Sequence, residues 1–419
     1  MERALLVTIR FKSQRNTWSI DEIACELEDL VASCGVEIVD NISCVCDKPT
    51  PNLLIGKGKT EEIALICQEE KIDVVIFSHD LSGIQQRNLE DIIGKKTIDR
   101  TQLILDIFAK HARSPEGKMQ VELAQSEYLL PRLIGKGLVL SRLGGGVGTS
   151  GPGEQKLEID RRRIRERIIR LKHELKHLEM HRQTIRKKRK DNSIPQIALV
   201  GYTNAGKSTL LNTITKSSQI VSNSLFTTLD PLTKSFTLPN NEKIVISDTV
   251  GFLSELPHHL IEAFKATLEE VVYADILIHV LDISQSMAEK RAEAVFKVLD
   301  ELGAKDKPMI TALNKIDLVE DNEYLEKMKK TFANSVCISA KNGKNFDVLF
   351  EKITSMFVNH NISKEFKLPL TRMDLVNLLY RQARIEEIKY LQDSIKIKAS
   401  LPKNVYQNLL NIKEIKWLE

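Results

Sequence analysis

The sequence predicts an α/β multidomain protein. It has an N-terminal α/β domain with a long antiparallel helical hairpin, a phosphate-loop domain on a mostly parallel sheet with helices on both faces, and a small C-terminal α+β domain. Three observations predict this. Apolar strand-like runs alternate with amphipathic helix-like stretches over residues 1–100 and again over 193–358. Between them, apolar side chains recur every seven residues, the mark of long packed helices. At 419 residues the chain is long enough for about three domains. The boundaries read as 1–100, 101–192 with a glycine-rich tip loop at 135–153, 193–358 and 359–419.

In the first segment, Ala4–Phe11 reads as a strand. Ser19–Cys34 reads as a helix opened by a capping box from Ser19 to Glu22 and closed at Gly35. Val36–Cys46 is a strand, Thr60–Glu70 a helix and Ile72–Phe77 a strand. Leu81–Ile93 is a helix ended by Gly94, and Lys96–Asp99 a short strand. Gly56-Lys-Gly58-Lys59 lacks the spacing of a phosphate loop and reads as a tight turn with exposed lysines, with an anion or second-nucleotide site as the other reading. Two helical stretches follow, Thr101–Leu133 and Lys156–Lys190. In the second, Leu157, Ile164, Leu171, Leu178 and Ile185 keep the seven-residue spacing, with Ile168 and Leu175 between them. Arg161 and Arg182 interrupt the stripe. The tip loop Gly135–Gly153 matches a dinucleotide fingerprint at Gly146–Gly151, but no strand precedes it, so the match is spurious. In the last segment Arg372–Gln382 and Pro402–Leu410 read as helices, and Arg384–Leu391, Ser394–Leu401 and Ile412–Trp417 as strands.

The chemistry is concentrated between them. Gly201-Tyr202-Thr203-Asn204-Ala205-Gly206-Lys207-Ser208 follows the apolar run Ile197–Val200, and Thr209 begins a helical stretch. Glycines let backbone N–H groups turn toward phosphate oxygens, and a helix N-terminus favours negative charge. Lys207 can reach the β/γ-phosphates and the Ser208 hydroxyl can ligate Mg²⁺. Asp248-Thr249-Val250-Gly251 also follows a strand-like run. Its Asp can hold Mg²⁺ through water, and Gly251 can bring its N–H against the γ-phosphate. Asn314-Lys315-Ile316-Asp317 offers a carboxylate able to accept from N1–H and the 2-amino group of guanine, which adenine lacks as a pair. Lys315 can lie along the base, and Ser339-Ala340-Lys341 can donate a backbone N–H to O6. Each motif alone would be an ordinary turn. Four in this order, each after a strand-like run, specify GTP and GDP.

No apolar run approaches the ~20 residues of a membrane span, and Met1–Leu6 shows no signal pattern. The six cysteines have neither Cys-x-x-Cys spacing nor histidine partners, so they read as buried thiols of a cytoplasmic protein. Net charge is only +4, but Lys156–Lys190 carries 15 Lys/Arg against 5 Asp/Glu. That arm has few aromatics, which suits phosphates of folded RNA rather than base stacking. A solvated helix face is the bland alternative. Nothing demands a dimer, and a monomer is expected.

Beyond the GTPase core, Asp99–Phe108, Gln120–Ala124, Gly144–Gly148, Gly151-Pro-Gly-Glu154 and Asp160-Arg-Arg162 together resemble the HflX family of GTPases over nearly the whole chain. The resemblance implies that Phe226-Thr227-Thr228-Leu-Asp230-Pro and Asp248–Phe252 are the two switches, with Thr228 a Mg²⁺ ligand and, with Lys207 and Gly251, part of the hydrolytic machinery. It implies binding to the large ribosomal subunit, with the glycine-rich tip reaching toward the peptidyl-transferase region, and dissociation or rescue of stalled ribosomes under stress. Ser150 departs from the basic residue expected there. Phe252 stands where Ras-like enzymes carry a water-orienting Gln, so hydrolysis is expected to be slow without a partner. Asn204 matches GTPases that hold K⁺ beside the phosphates, or it caps its own loop; both readings stand. Two other functions remain open: a GTP-gated RNA-binding assembly scaffold without splitting activity, and an added ATP-dependent RNA-remodelling activity in the N-terminal domain.

Overall fold

Three separate sheets organise the chain. The computed structural model describes residues 2–13, 18–133, 152–191, 194–216, 225–226, 230–240, 242–254, 265–285, 287–358, 361–410, 412 and 414–418. The tip loop with Ser150, and Thr227 and Thr228 of the first switch, lie outside the described residues. Contacts divide the chain into two compact units, one of residues 1–179, 222–230 and 255–266, the other of 180–221, 231–254 and 267–419.

The first unit contains β1 (Arg3–Phe11), α1 (Ile20–Cys34), β2 (Glu37–Cys46), α2 (Lys57–Glu69), β3 (Val74–Phe77), α3 (Gly83–Ile93), β4 (Lys96–Ile98), α4 (Arg100–His111) and α5 (Pro115–Arg132). Its sheet runs β2-β1-β3-β4, all parallel. The Ser19–Glu22 capping box and the left-handed Gly35 and Gly94 caps are as the sequence reads. Gly56–Lys59 differs: it opens α2, and Lys57 and Lys59 pair with Glu61 and Glu62 of the same helix. The expected helix over residues 101–133 is two helices. Pro115 disfavours helical backbone at the residue before it, and Ser114 instead caps α5 with its hydroxyl on the Gly117 N–H.

The long helix α6 (Pro152–Asp191) begins in the first unit and ends in the second. Its stripe is visible at Ile164, Ile168, Leu171, Leu175 and Leu178, of which Leu171 is fully buried. Beyond Leu178 the buried face drifts, because a straight helix turns every 3.6 residues rather than 3.5. Ile185 is exposed, and Arg182 and Arg186 take its place. The first of the two long arms is met by Arg167 on Glu122 and Lys172 on Glu127. Both pairs advance in the same sense along α5 and α6, so these described contacts do not themselves draw an antiparallel seam.

The second unit holds β5 (Gln196–Val200), α7 (Lys207–Thr215), β6 (Leu232–Thr237), β7 (Lys243–Asp248), α8 (Lys265–Tyr273), β8 (Ile276–Asp282), α9 (Ala288–Glu301), β9 (Met309–Asn314), α10 (Asn322–Thr331), β10 (Ser335–Cys337) and α11 (Phe346–Val358). The sheet runs β10-β9-β8-β5-β7-β6, parallel except for β6. Parallel strands covered on both faces are mostly apolar, and in β8 all seven residues are buried, apolar except for His279 and the terminal Asp282.

The chain continues with β11 (Asn361–Pro369), α12 (Met373–Gln382), β12 (Arg384–Tyr390), β13 (Ser394–Pro402), α13 (Lys403–Leu410) and β14 (Lys416–Leu418). They form an antiparallel sheet in the order β12-β13-β11-β14. Its strand β11 is absent from the sequence reading. Phe366, Leu368, Ile395, Ile397, Ala399 and Leu401 pack with Leu375, Leu379, Val405 and Leu409 of the two helices as a core.

Candidate nucleotide site

The site is assembled at the carboxyl ends of β5, β7 and β9, where open α/β sheets present their crevice. Residues 201–206 link β5 to α7. Gly206 has φ of 96°, and a Cβ there would lie 2.3 Å from Asn314 Nδ2. That contact is used: Asn314 Nδ2 donates to the Ala205 carbonyl (2.8 Å), and its Oδ1 accepts from the Ala340 N–H (2.9 Å). Asn314 therefore ties the glycine loop to the Ser-Ala-Lys loop. Thr213 Oγ1 adds a second tie by donating to the Ala340 carbonyl at 2.7 Å.

Lys207 is buried, and its ammonium donates to the carbonyls of Gly201 (3.0 Å) and Tyr202 (2.8 Å). Burial lowers its pKa to about 8, against the pull of Asp248. Ser208 Oγ donates to Asp248 Oδ2 at 2.6 Å. Thr249 is buried and donates to the Leu199 carbonyl at 2.6 Å, and Val250 is buried beside it. A Cβ on Gly251 would fall 2.7 Å from Thr203 Cα and 3.0 Å from Lys207 Nζ, so only glycine permits this approach. Phe252 is buried, and its backbone exchanges hydrogen bonds with Gly201 and Thr203. The Tyr202 hydroxyl accepts from the Ser254 N–H (2.9 Å), beneath the Arg291 guanidinium.

At the other end, Lys315 has φ of 66° and pairs with the buried Asp282 at 2.7 Å. Asp317 is exposed at the mouth, Ser339 and Ala340 are buried, and Lys341 is exposed. Asn204 is exposed at φ of 57°, and Thr209 opens α7 behind it.

Phe226 groups with the first unit, where its ring meets Phe108 edge-on at 4.5 Å. Asp230, quoted in the sequence only as part of a switch, accepts from the N–H groups of Arg113 and Ser114 and from the Ser114 hydroxyl. Asp99 likewise is a structural hub: it caps α4 and accepts from Leu81 N–H, the Tyr128 hydroxyl and Arg132. Burial raises its pKa despite these donors. The cap on Gln102 is local, but no local signal could have shown the other partners, which lie 18 to 117 residues away.

The fold and this set of loops define a phosphate-loop GTPase. Protein-family profiles described as GTP-binding GTPase N-terminal, GTP-binding GTPase Middle Region and 50S ribosome-binding GTPase match residues 21–109, 111–189 and 196–315. The chain is 43% identical to GTPase HflX of Caldanaerobacter subterraneus subsp. tengcongensis over 98% of its own length and 93% of that protein's. It is 39% identical to GTPase HflX of Escherichia coli, over 96% and 94% of the two chains. A GTP-binding protein from Sulfolobus solfataricus, solved in complex with GDP, is 26% identical over 85% of this chain and 98% of its own, with a TM-score of 0.44. The chain belongs to the HflX family of GTPases, and it binds and hydrolyses GTP. Among the described residues all six cysteines are free, and no helix is long and apolar enough to cross a membrane.

Proposed function

We propose that GTP turnover at this site times the docking of the chain on the large ribosomal subunit, and that docking dissociates or rescues stalled ribosomes. The observation that carries this reading is the 196–315 segment, which matches the 50S ribosome-binding GTPase profile and contains Lys207, Ser208, Asp248 and Gly251 in one cluster. The basic helix α6 supports the partner's chemistry, since a cationic arm suits RNA phosphates.

In this reading the Lys207 ammonium leaves the two loop carbonyls for the β/γ-phosphates. The base edge is read by Asp317, flanked by Lys315, Ser339 and Lys341, while Asn314 holds the loops in register. The Ser208 hydroxyl and Asp248 carboxylate already touch, a pair of hard oxygen donors that fits Mg²⁺, with Thr228 as the ligand from the first switch. Bound there, Mg²⁺ offsets charge that develops on the phosphoryl oxygens. Phe252 is buried and offers no polar group to the attacking water, so turnover is slow until the ribosome orders the site. The exposed Asn204 is the candidate K⁺ ligand.

Sedimentation tests the reading. Protein added to intact ribosomes with GTP should release subunits and travel with the large one, and GDP should abolish this. Binding without release would instead favour a GTP-gated scaffold. Turnover that is equal and fast in K⁺ and Na⁺ buffers, with or without large subunits, would sink both the slow-site and the K⁺ assignments.

A further inference from the structure

Four lysines stand in register across the C-terminal sheet. Lys389 of β12 pairs with Lys396 of β13, Lys396 with Lys367 of β11, and Lys367 with Lys416 of β14. The neighbouring row, Ile388, Ile397, Phe366 and Trp417, points into the core against α12 and α13. Side chains alternate along a strand, so the lysines occupy the opposite, solvent face. Lys389 and Lys416 are exposed, and Lys367 and Lys396 half-buried.

Like charges directly opposite one another destabilise a sheet. The next row on the same face shows how this sheet avoids that cost elsewhere: Glu387, Lys398 and Glu365 alternate in sign. Only two of the four lysines have acidic partners, Lys389 with Glu387 and Lys396 with Glu365. Lys367 and Lys416 have no ion pair among the described residues. Four like charges in register, two of them without an ion pair among the described residues, beside a row of alternating sign are a feature the fold would lose if stability alone chose it.

We propose that this lysine row is a docking surface for the sugar–phosphate backbone of RNA, separate from the α6 arm. Strands lie about 4.8 Å apart, so the row spans about 14 Å, the length of about three or four phosphates along one strand. Lysines are point charges on flexible stems, suited to phosphates and silent about sequence. Glu365 and Glu387 flank the row and repel a second line of anions, so the surface takes one strand edge. The choice of RNA over an acidic protein rests on the ribosome reading above.

The test uses the full chain, a fluorescent RNA duplex of about 20 base pairs, and anisotropy titrations over a series of KCl concentrations. In Lys367→Gln/Lys416→Gln, the slope of log affinity against log salt should fall by about two relative to wild type, about one per lysine. Lys367→Arg/Lys416→Arg should keep the wild-type slope, as should the charge-matched control Lys327→Gln/Lys330→Gln. GTP hydrolysis should be unchanged in all three. An unchanged slope in the Gln variant overturns the proposal, and so does displacement of the duplex by polyglutamate as effectively as by unlabelled RNA. Co-sedimentation of wild type with large subunits is read separately: its failure removes the ribosome reading, while the duplex titration still decides the row.

Discussion

Asp230 caps a helix whose first residue lies 115 positions earlier: its carboxylate accepts from the Arg113 and Ser114 N–H groups at 3.0 and 2.8 Å, at the start of α5. The negative charge sits where the helix dipole and unpaired N–H groups favour it. Gly117 makes the approach possible, since a Cβ there would meet Asp230 Oδ1 at 2.1 Å. Asp230→Ala should cost about 1–2 kcal/mol in urea unfolding. Gly117→Ala alone should also destabilise, although alanine is ordinarily the better helix former by about 1 kcal/mol. Placed in the Asp230→Ala background the same change should turn stabilising. Additive effects of the two would show that the contact is incidental.

Arg186 is the second long-range tie. It is buried and holds Glu269 at 2.8 Å and Glu270 at 2.7 Å, with Arg182 also on Glu269 and Ser247 Oγ donating to Glu270 at 3.2 Å. The Tyr273 ring lies 4.7 Å beneath its guanidinium. Arg186→Met leaves two buried carboxylates without their main partner and should cost about 3–5 kcal/mol by denaturant unfolding. Arg186→Met combined with Glu269→Leu and Glu270→Leu should recover most of that loss. Ser247 adjoins Asp248, so GTP turnover measured on the single variant should fall as well, where a purely remote effect would leave it unchanged.

These two ties show where sequence reading stops. The GTPase motifs were legible because their chemistry is local: Gly206 and Gly251 leave room that any Cβ would fill, and each motif follows its own strand. The α/β alternation was legible because period 2 and period 3.6 patterns leave different traces. Ser114-Pro115 was passed over inside a continuous apolar pattern, although the proline forbids a continuous helix there. Arg182 read as an interruption of a heptad because the drift of the buried face over 40 residues depends on what packs against it. Strand β11 was missed because Lys364 breaks the apolar alternation that Phe366 and Leu368 continue. Asp230 and Glu270 carry no local mark of their partners at all.

His279 lies inside β8, fully buried, with its ring 5.1 Å from that of Phe296. Neither ring nitrogen has a hydrogen-bond partner among the described residues. Burial, aided by the Lys207 charge, lowers its pKa to about 3 from the model-peptide value of 6.5. The unfolded chain therefore binds this proton at a pH where the folded chain does not. The associated stability is complete above about pH 6.5 and is lost as pH falls toward 3, at up to about 1.4 kcal/mol per pH unit. In His279→Phe, the acid side of the urea-unfolding profile should be flatter by one proton. An unchanged acid slope would rule the group out.

Lys207 gives the binding reaction its own pH dependence. Its pKa is held to about 8 by burial among backbone carbonyls, with only Asp248 opposing the shift. A triphosphate placed against the ammonium favours the charged form and raises that pKa. At about pH 7 the lysine is charged before and after binding, so few protons move. At about pH 8.5 much of the free protein has lost this proton and must regain it when GTP binds. Calorimetric titrations in buffers of different ionisation enthalpy should then show net uptake approaching one proton per GTP, and near zero at about pH 7. Affinity should weaken by up to about tenfold per unit above pH 8. Equal heats in every buffer at the higher pH would mean that Lys207 stays charged in the free loop, and that its two carbonyl partners outweigh the cost of burying it.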